Sequence, residues 1–167
     1  MAWTVNENLL IGQPIADASS TQKHPLGMII RAKDPTYGSG EFIYLKGVAS
    51  TAVGDWVGYQ PSLGTSVRAV ADGKYPLAVA MAACDTTTKF GWYQIAGVAI
   101  AKGLTSITHT SGNLYLTGTA GSVDDTSVIG DAIFNARKTT TVHVVGTFLD
   151  TYNLARPWSA NRVSLSN

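Results

Sequence analysis

Disulfides, cysteine-built metal sites and membrane-spanning helices all need something this chain lacks. Cys84 is the only cysteine among 167 residues, so no internal disulfide can form and no cysteine-rich zinc site can be assembled. It sits within PLAVAMAAC and reads as a small buried apolar group. No apolar run approaches the roughly 18 residues of a membrane span. The opening MAWTVNENLL has no basic lead followed by an apolar block, so no secretory signal is expected and cytoplasmic synthesis follows. Charge is also scarce, at 14% of residues, well below the usual quarter or so. Twelve Lys+Arg against 11 Asp+Glu leave a formal charge of +1. That gives no electrostatic case for nucleic acid or an anionic membrane. So small a supply of charge suggests that some surface is covered by copies of the chain or by another protein.

Catalytic letters are missing too. Only His24, His109 and His143 could serve as a general base, and no GxSxG elbow surrounds any serine. No two histidines share a metal-ligand spacing. Asp124-Asp125 is the only adjacent acidic pair, with Asp131 six residues on. Without the DxDxDG spacing these three read as turn caps rather than a calcium loop. No glycine-rich phosphate cradle occurs in a strand-to-helix context. Trp56, Tyr59, Trp92, Tyr93 and Trp158 could stack on sugars or bases, although core or interface packing is the commoner use of such rings. The expectation is a protein that is not an enzyme and needs no cofactor or metal.

What is present is strand-forming text. FGWYQIAGVAIAK, Phe90–Lys102, is rich in aromatic and β-branched residues and uncharged until its last lysine. By alternation Phe90, Trp92, Val98 and Ile100 share one face, and Tyr93, Ile95, Ala99 and Ala101 the other. A strand apolar on both faces is buried twice or shifted by a bulge, with Gly97 the natural bulge site. Before it come LGMIIRAK, EFIYLKGVA, DWVGYQ, TSVRAVA and PLAVAMAAC, separated by turn-like pieces. In the last of these, Leu77, Val79 and Met81 alternate with alanines, which suggests a strand close to a second layer. Asp72-Gly73 signals a hairpin. A looser half follows: NLYLTG, SVDDTSVIGD, AIFNARK, TTTVHVVGTFL and TYNLARPW. No i, i+3, i+4 stripe persists, so no helix beyond a turn or two is expected.

The reading is therefore all-β: a single antiparallel β-barrel or β-sandwich domain with an extended N-terminal arm. The expected divisions are an arm over 1–24, a β domain over 25–158 and a C-terminal tail over 159–167. In the arm, Trp3, Leu9, Leu10 and Ile15 are scattered among polar residues without a period, and Pro14 interrupts any regular element. They read either as packed on their own domain or as contacts to a neighbouring subunit.

GSGEFIYLKGVASTAVGDWVGY, PLAVAMA, FGWYQIAGVAIAK and LYLTGTAGSVDD together resemble the auxiliary capsid proteins, also called decoration or cement proteins, of tailed bacteriophages. The resemblance spans about residues 25–138 and rests on phrase and pattern. It implies a β-rich virion protein that binds the outer surface of the major capsid protein shell and stabilises the head. Such proteins often work as trimers or other small homo-oligomers, and the resemblance assigns no catalytic residue. The alternative within the same setting is another virion β module, such as a tail, fibre or carbohydrate-binding component. Trp3, Leu9, Leu10 and Ile15 are the expected capsid or oligomer contacts, chosen from composition alone. Deleting the arm is expected to weaken attachment and leave the β domain folded.

Overall fold

The computed structural model describes residues 4–5, 12–104, 112–139 and 149–159. All regular structure among them is β. Three strands open the chain: β1 (Thr4–Val5), β2 (Ala18–Ser19) and β3 (Ile29–Asp34). Then come β4 (Gly38–Lys46), β5 (Trp56–Gln60), β6 (Thr65–Arg68) and β7 (Leu77–Ala80). The long β8 (Phe90–Lys102) precedes β9 (Leu114–Leu116), β10 (Val123–Asp124), β11 (Ala132–Lys138) and β12 (Leu149–Ser159). They form one sheet that is mixed rather than purely antiparallel, because Lys46 of β4 meets Thr65 of β6 in parallel.

β8 organises the sheet, as its composition suggests. One of its edges carries β4 from Phe90 to Ala96. The other is shared in succession by β2 at Phe90–Gly91, β7 at Tyr93–Gln94 and β12 from Ala96 to Lys102. The pairings β4–β6, β6–β5, β5–β7, β7–β8 and β8–β4 close on themselves as a five-strand ring.

β8 is buried on both faces and also carries a bulge, but the bulge falls at Ile95 rather than at the expected Gly97. In its first half Trp92 packs outward with Ile30, Phe42, Tyr44 and Met81, while Tyr93 and Ile95 point into the ring with Ile43, Leu45 and Val57. A bulge between the Glu41 and Phe42 pairings then shifts the register, and Gly97 follows with φ of 93°. Beyond it Ala99 and Ala101 turn to a third cluster, with Trp56, Leu77, Leu114, Val123, Ile133 and Tyr152. Gly97 is needed there: a Cβ would lie 2.3 Å from the Ser39 carbonyl oxygen.

The β7 alternation holds over Leu77–Ala80, while Met81 lies past the strand in the Trp92 cluster. Its alanines, Ala78 and Ala80, fill the ring interior, where space is shortest, and Leu77 and Val79 face the third cluster. The Asp72-Gly73 turn forms, with Asp72 at φ of 64°, but the strands it connects are not partners. β5 lies between β6 and β7, so this turn crosses over a neighbour.

Residues 12–24, expected as part of an arm, lie against this body. Ile15 is 5% exposed and belongs to the Trp92 cluster. Gln13 is a hub: its Nε2 donates to the carbonyls of Asp17 (2.8 Å) and Phe90 (2.9 Å), and its Oε1 accepts from the Tyr44 hydroxyl at 2.7 Å. Its own carbonyl accepts from Trp92 Nε1 at 3.1 Å. His24 packs against the Tyr44 and Trp92 rings at centroid distances of 5.1 Å. Desolvation there lowers its pKa.

Candidate binding face

Among the described residues, the outer face of β9, β11 and β12 brings several exposed apolar side chains together. An uninterrupted β11 would put Phe134, Ala136 and Lys138 on one face. Instead a bulge falls between Phe134 and Ala136, with Asn135 at φ of 61°. Across from it Arg156 of β12 has φ of 52° and Pro157 supplies no ladder donor. The double irregularity resets both strands. Ile133, Ala136 and Leu154 point into the core, while Phe134 and Trp158, register partners, both point out.

Those two rings stack at 4.8 Å with planes 24° apart, at 39% and 45% exposure. Beside them lies a depression of about 330 Å3 lined by Asn113, Tyr115, Val128, Ile129, Ala132 and Phe134. Ile129 is 87% exposed. Ile129 lines the same depression as Phe134, so exposed apolar side chains cluster here. By contrast Ile29, Val53, Leu63, Val67 and Val70 are exposed on β3, β6 and intervening loops, the scattered pattern of normal surfaces.

Charges on the described surface form a local structural set. Glu41 accepts from Arg31 Nη2 at 3.0 Å and from Arg156 Nη2 at 2.8 Å. The Arg156 hydrogen bond, helped by Arg31, holds its carboxyl below the usual range. Asp55, fully buried, accepts from Arg68 Nε (2.9 Å), Lys102 Nζ and the Ala52 amide (3.0 Å). Arg68 continues to the Ala120 carbonyl at 2.6 Å, which ties β5, β6 and β8 to the turn before β10. Arg31, Glu41 and Arg156 line an open depression of about 560 Å3 together with Ser39, Gly40 and Gly97.

The residues singled out from sequence are distributed as follows. Trp3, Leu9, Leu10, His109 and His143 lie outside the described residues. Ile15 is committed to its own domain. Trp56, Trp92 and Tyr93 are fully buried, and Tyr59 is half-buried, so of the five rings weighed as a stacking platform Trp158 alone is strongly exposed. Cys84 is buried, and burial pushes its thiol pKa up. Asp124 Oδ1 accepts from the Asp125 amide at 2.8 Å and Asp131 Oδ1 from the Asp72 amide at 2.6 Å, the turn-capping use. Among the described residues no group of three His, Cys, Asp or Glu could hold a metal ion, and no helix is long and apolar enough to cross a membrane.

Ile129 and Phe134 were not picked out by sequence reasoning. The signal available was weak: a Val-Ile pair directly before a turn glycine in SVIGD, and adjacent Ile-Phe in AIFNARK. No family model, curated protein or solved structure matches this chain.

Proposed function

We propose that this chain is a capsid decoration protein of a tailed bacteriophage: a non-enzymatic β module on the outer surface of the major capsid protein shell, stabilising the head as a small homo-oligomer. In this reading the five-strand ring is a small β-barrel filled by its own side chains, and β9–β12 form a buttress that presents the contact face. The observation that carries it is the Val128, Ile129, Phe134 and Trp158 surface. Burying such a side chain is worth about 1.5–3 kcal/mol. A modest apolar contact repeated over a lattice gains further from avidity. The sequence phrases that resemble decoration proteins and the low charge content support the same partner.

A second reading, a sugar-binding virion component, draws on one feature. The Trp158 ring is exposed, with Asn113 and Ser127 lining the neighbouring depression. Stacking on Phe134 occupies one face of that ring, however, and Ile129 suits an apolar protein partner better than a hydroxylated ligand.

The test is co-sedimentation of the purified chain with empty shells of the major capsid protein. The wild type should pellet with shells. Ile129→Asp and Trp158→Ala should each weaken binding by about 30-fold, as expected for central apolar anchors worth about 2 kcal/mol. Undiminished binding by both variants would refute the assigned face. Failure of the wild type to bind, together with retention on a glycan array, would favour the second reading.

A further inference from the structure

Lys138 and Asp150 form an ion pair where ion pairs are least useful. The lysine side chain is 2% exposed, the aspartate side chain is fully buried, and Nζ lies 3.1 Å from Oδ2. Burying both charges costs several kcal/mol per ion, and an apolar pair of similar volume is often as stable or more so. Stability alone therefore explains the pair poorly.

The geometry is set by the ladder. Lys138 is the register partner of Tyr152, so Asp150, two residues earlier on β12, is its diagonal neighbour on the inward face. The Tyr152 hydroxyl is buried beside them and has no hydrogen-bond partner among the described residues. Its pKa is pushed up mainly by desolvation and further by the negative charge of Asp150. An amine in contact with a carboxyl, both withdrawn from solvent, suits amide formation.

We propose that Lys138 and Asp150 become joined by an intramolecular isopeptide bond that staples β11 to β12. A proton passes from the lysine ammonium to the Asp150 carboxylate, leaving a neutral amine beside a carboxylic acid. The Nζ lone pair attacks Cγ to give a tetrahedral intermediate. The C–O bond to the protonated hydroxyl breaks, Nζ gives up a second proton, and one water leaves. Ammonium plus carboxylate become amide plus water, with no change in oxidation state and no co-reactant. Holding reactants in contact is worth effective molarities of about 10⁵–10⁸ M, and the product removes two buried charges. The bond would lock the strands that present Phe134 and Trp158, but it does not depend on what binds there.

The test is the intact mass of the full chain, purified and left folded, followed by proteolytic mapping. The expected result is a mass one water below that of the sequence, with a branched peptide joining Lys138 to Asp150. Lys138→Arg and Asp150→Ala should each restore the full sequence mass. Wild-type protein at its full sequence mass overturns the proposal, whether or not the variants fold. So does a water loss that maps to a cyclic imide at Asp72-Gly73, the dipeptide most prone to that reaction.

Discussion

Replacing Gly97 with alanine tests the architecture at the residue where β8 passes from one cluster to another. Two costs add. Its φ of 93° lies in the region that L-residues avoid, which costs about 1–2 kcal/mol. The new Cβ would also sit 2.3 Å from the Ser39 carbonyl oxygen and 2.9 Å from Gly40 Cα. Both are backbone atoms in β4, so relief requires moving a strand, and overpacking of this kind costs about 1–3 kcal/mol. The sum is about 2–5 kcal/mol, a large share of the roughly 5–15 kcal/mol that keeps a domain folded. At about 2–4 °C per kcal/mol for a chain of this size, Tm should fall by about 4–20 °C. The assay is thermal and urea denaturation followed by circular dichroism, where an unchanged m-value would show that the native state itself has been weakened. Gly118→Ala is the control, since a Cβ there meets nothing within 4 Å. Equal melting of the two variants would refute the strand crossing described for β8.

Other consequences follow from the strap formed by residues 12–24 and from the buried rings. Gln13→Ala should destabilise by about 1–3 kcal/mol in urea, because it removes the acceptor for the buried Tyr44 hydroxyl, which keeps only the Lys23 amide, and the side-chain donor to the Phe90 carbonyl; a neutral effect would mean that the strap is dispensable. His24 has a lowered pKa when folded, so the unfolded chain binds the extra proton first. Stability should therefore fall as pH drops through about 6.5, and a flat profile between pH 7.5 and 5.5, or one unchanged by His24→Phe, would contradict this. Tyr93 and Tyr152 have pKa values raised mainly by desolvation. Folded protein holds them protonated, so stability is lost as pH rises above about 10. Their ultraviolet phenolate signal should appear only together with alkaline unfolding, and smooth titration in folded protein would exclude their burial.

The strands were legible because their chemistry is local. Aromatic and β-branched residues in FGWYQIAGVAIAK mark a strand, and two apolar faces mark double burial. Pairing was less legible. The Asp72-Gly73 signal identified a real turn, but nothing local reveals that β5 intervenes between the strands on either side. Ile15 illustrates the same limit, since an apolar residue in irregular sequence can pack at home or away, and its place beside Trp92 depends on contacts some 77 residues distant. The contact face was hidden for a further reason. Phe134 and Trp158 face outward together only because Asn135 and Arg156 adopt positive φ opposite one another, and a paired irregularity is invisible until the register is known. Lys138 is likewise turned inward past that bulge.

The most direct measurement is a three-dimensional reconstruction of intact particles carrying this chain. The account predicts density for the β ring on the outer shell lattice, with Ile129, Phe134 and Trp158 set against the capsomers. Heads without this chain, or copies on the shell with that face turned to solvent, would contradict it.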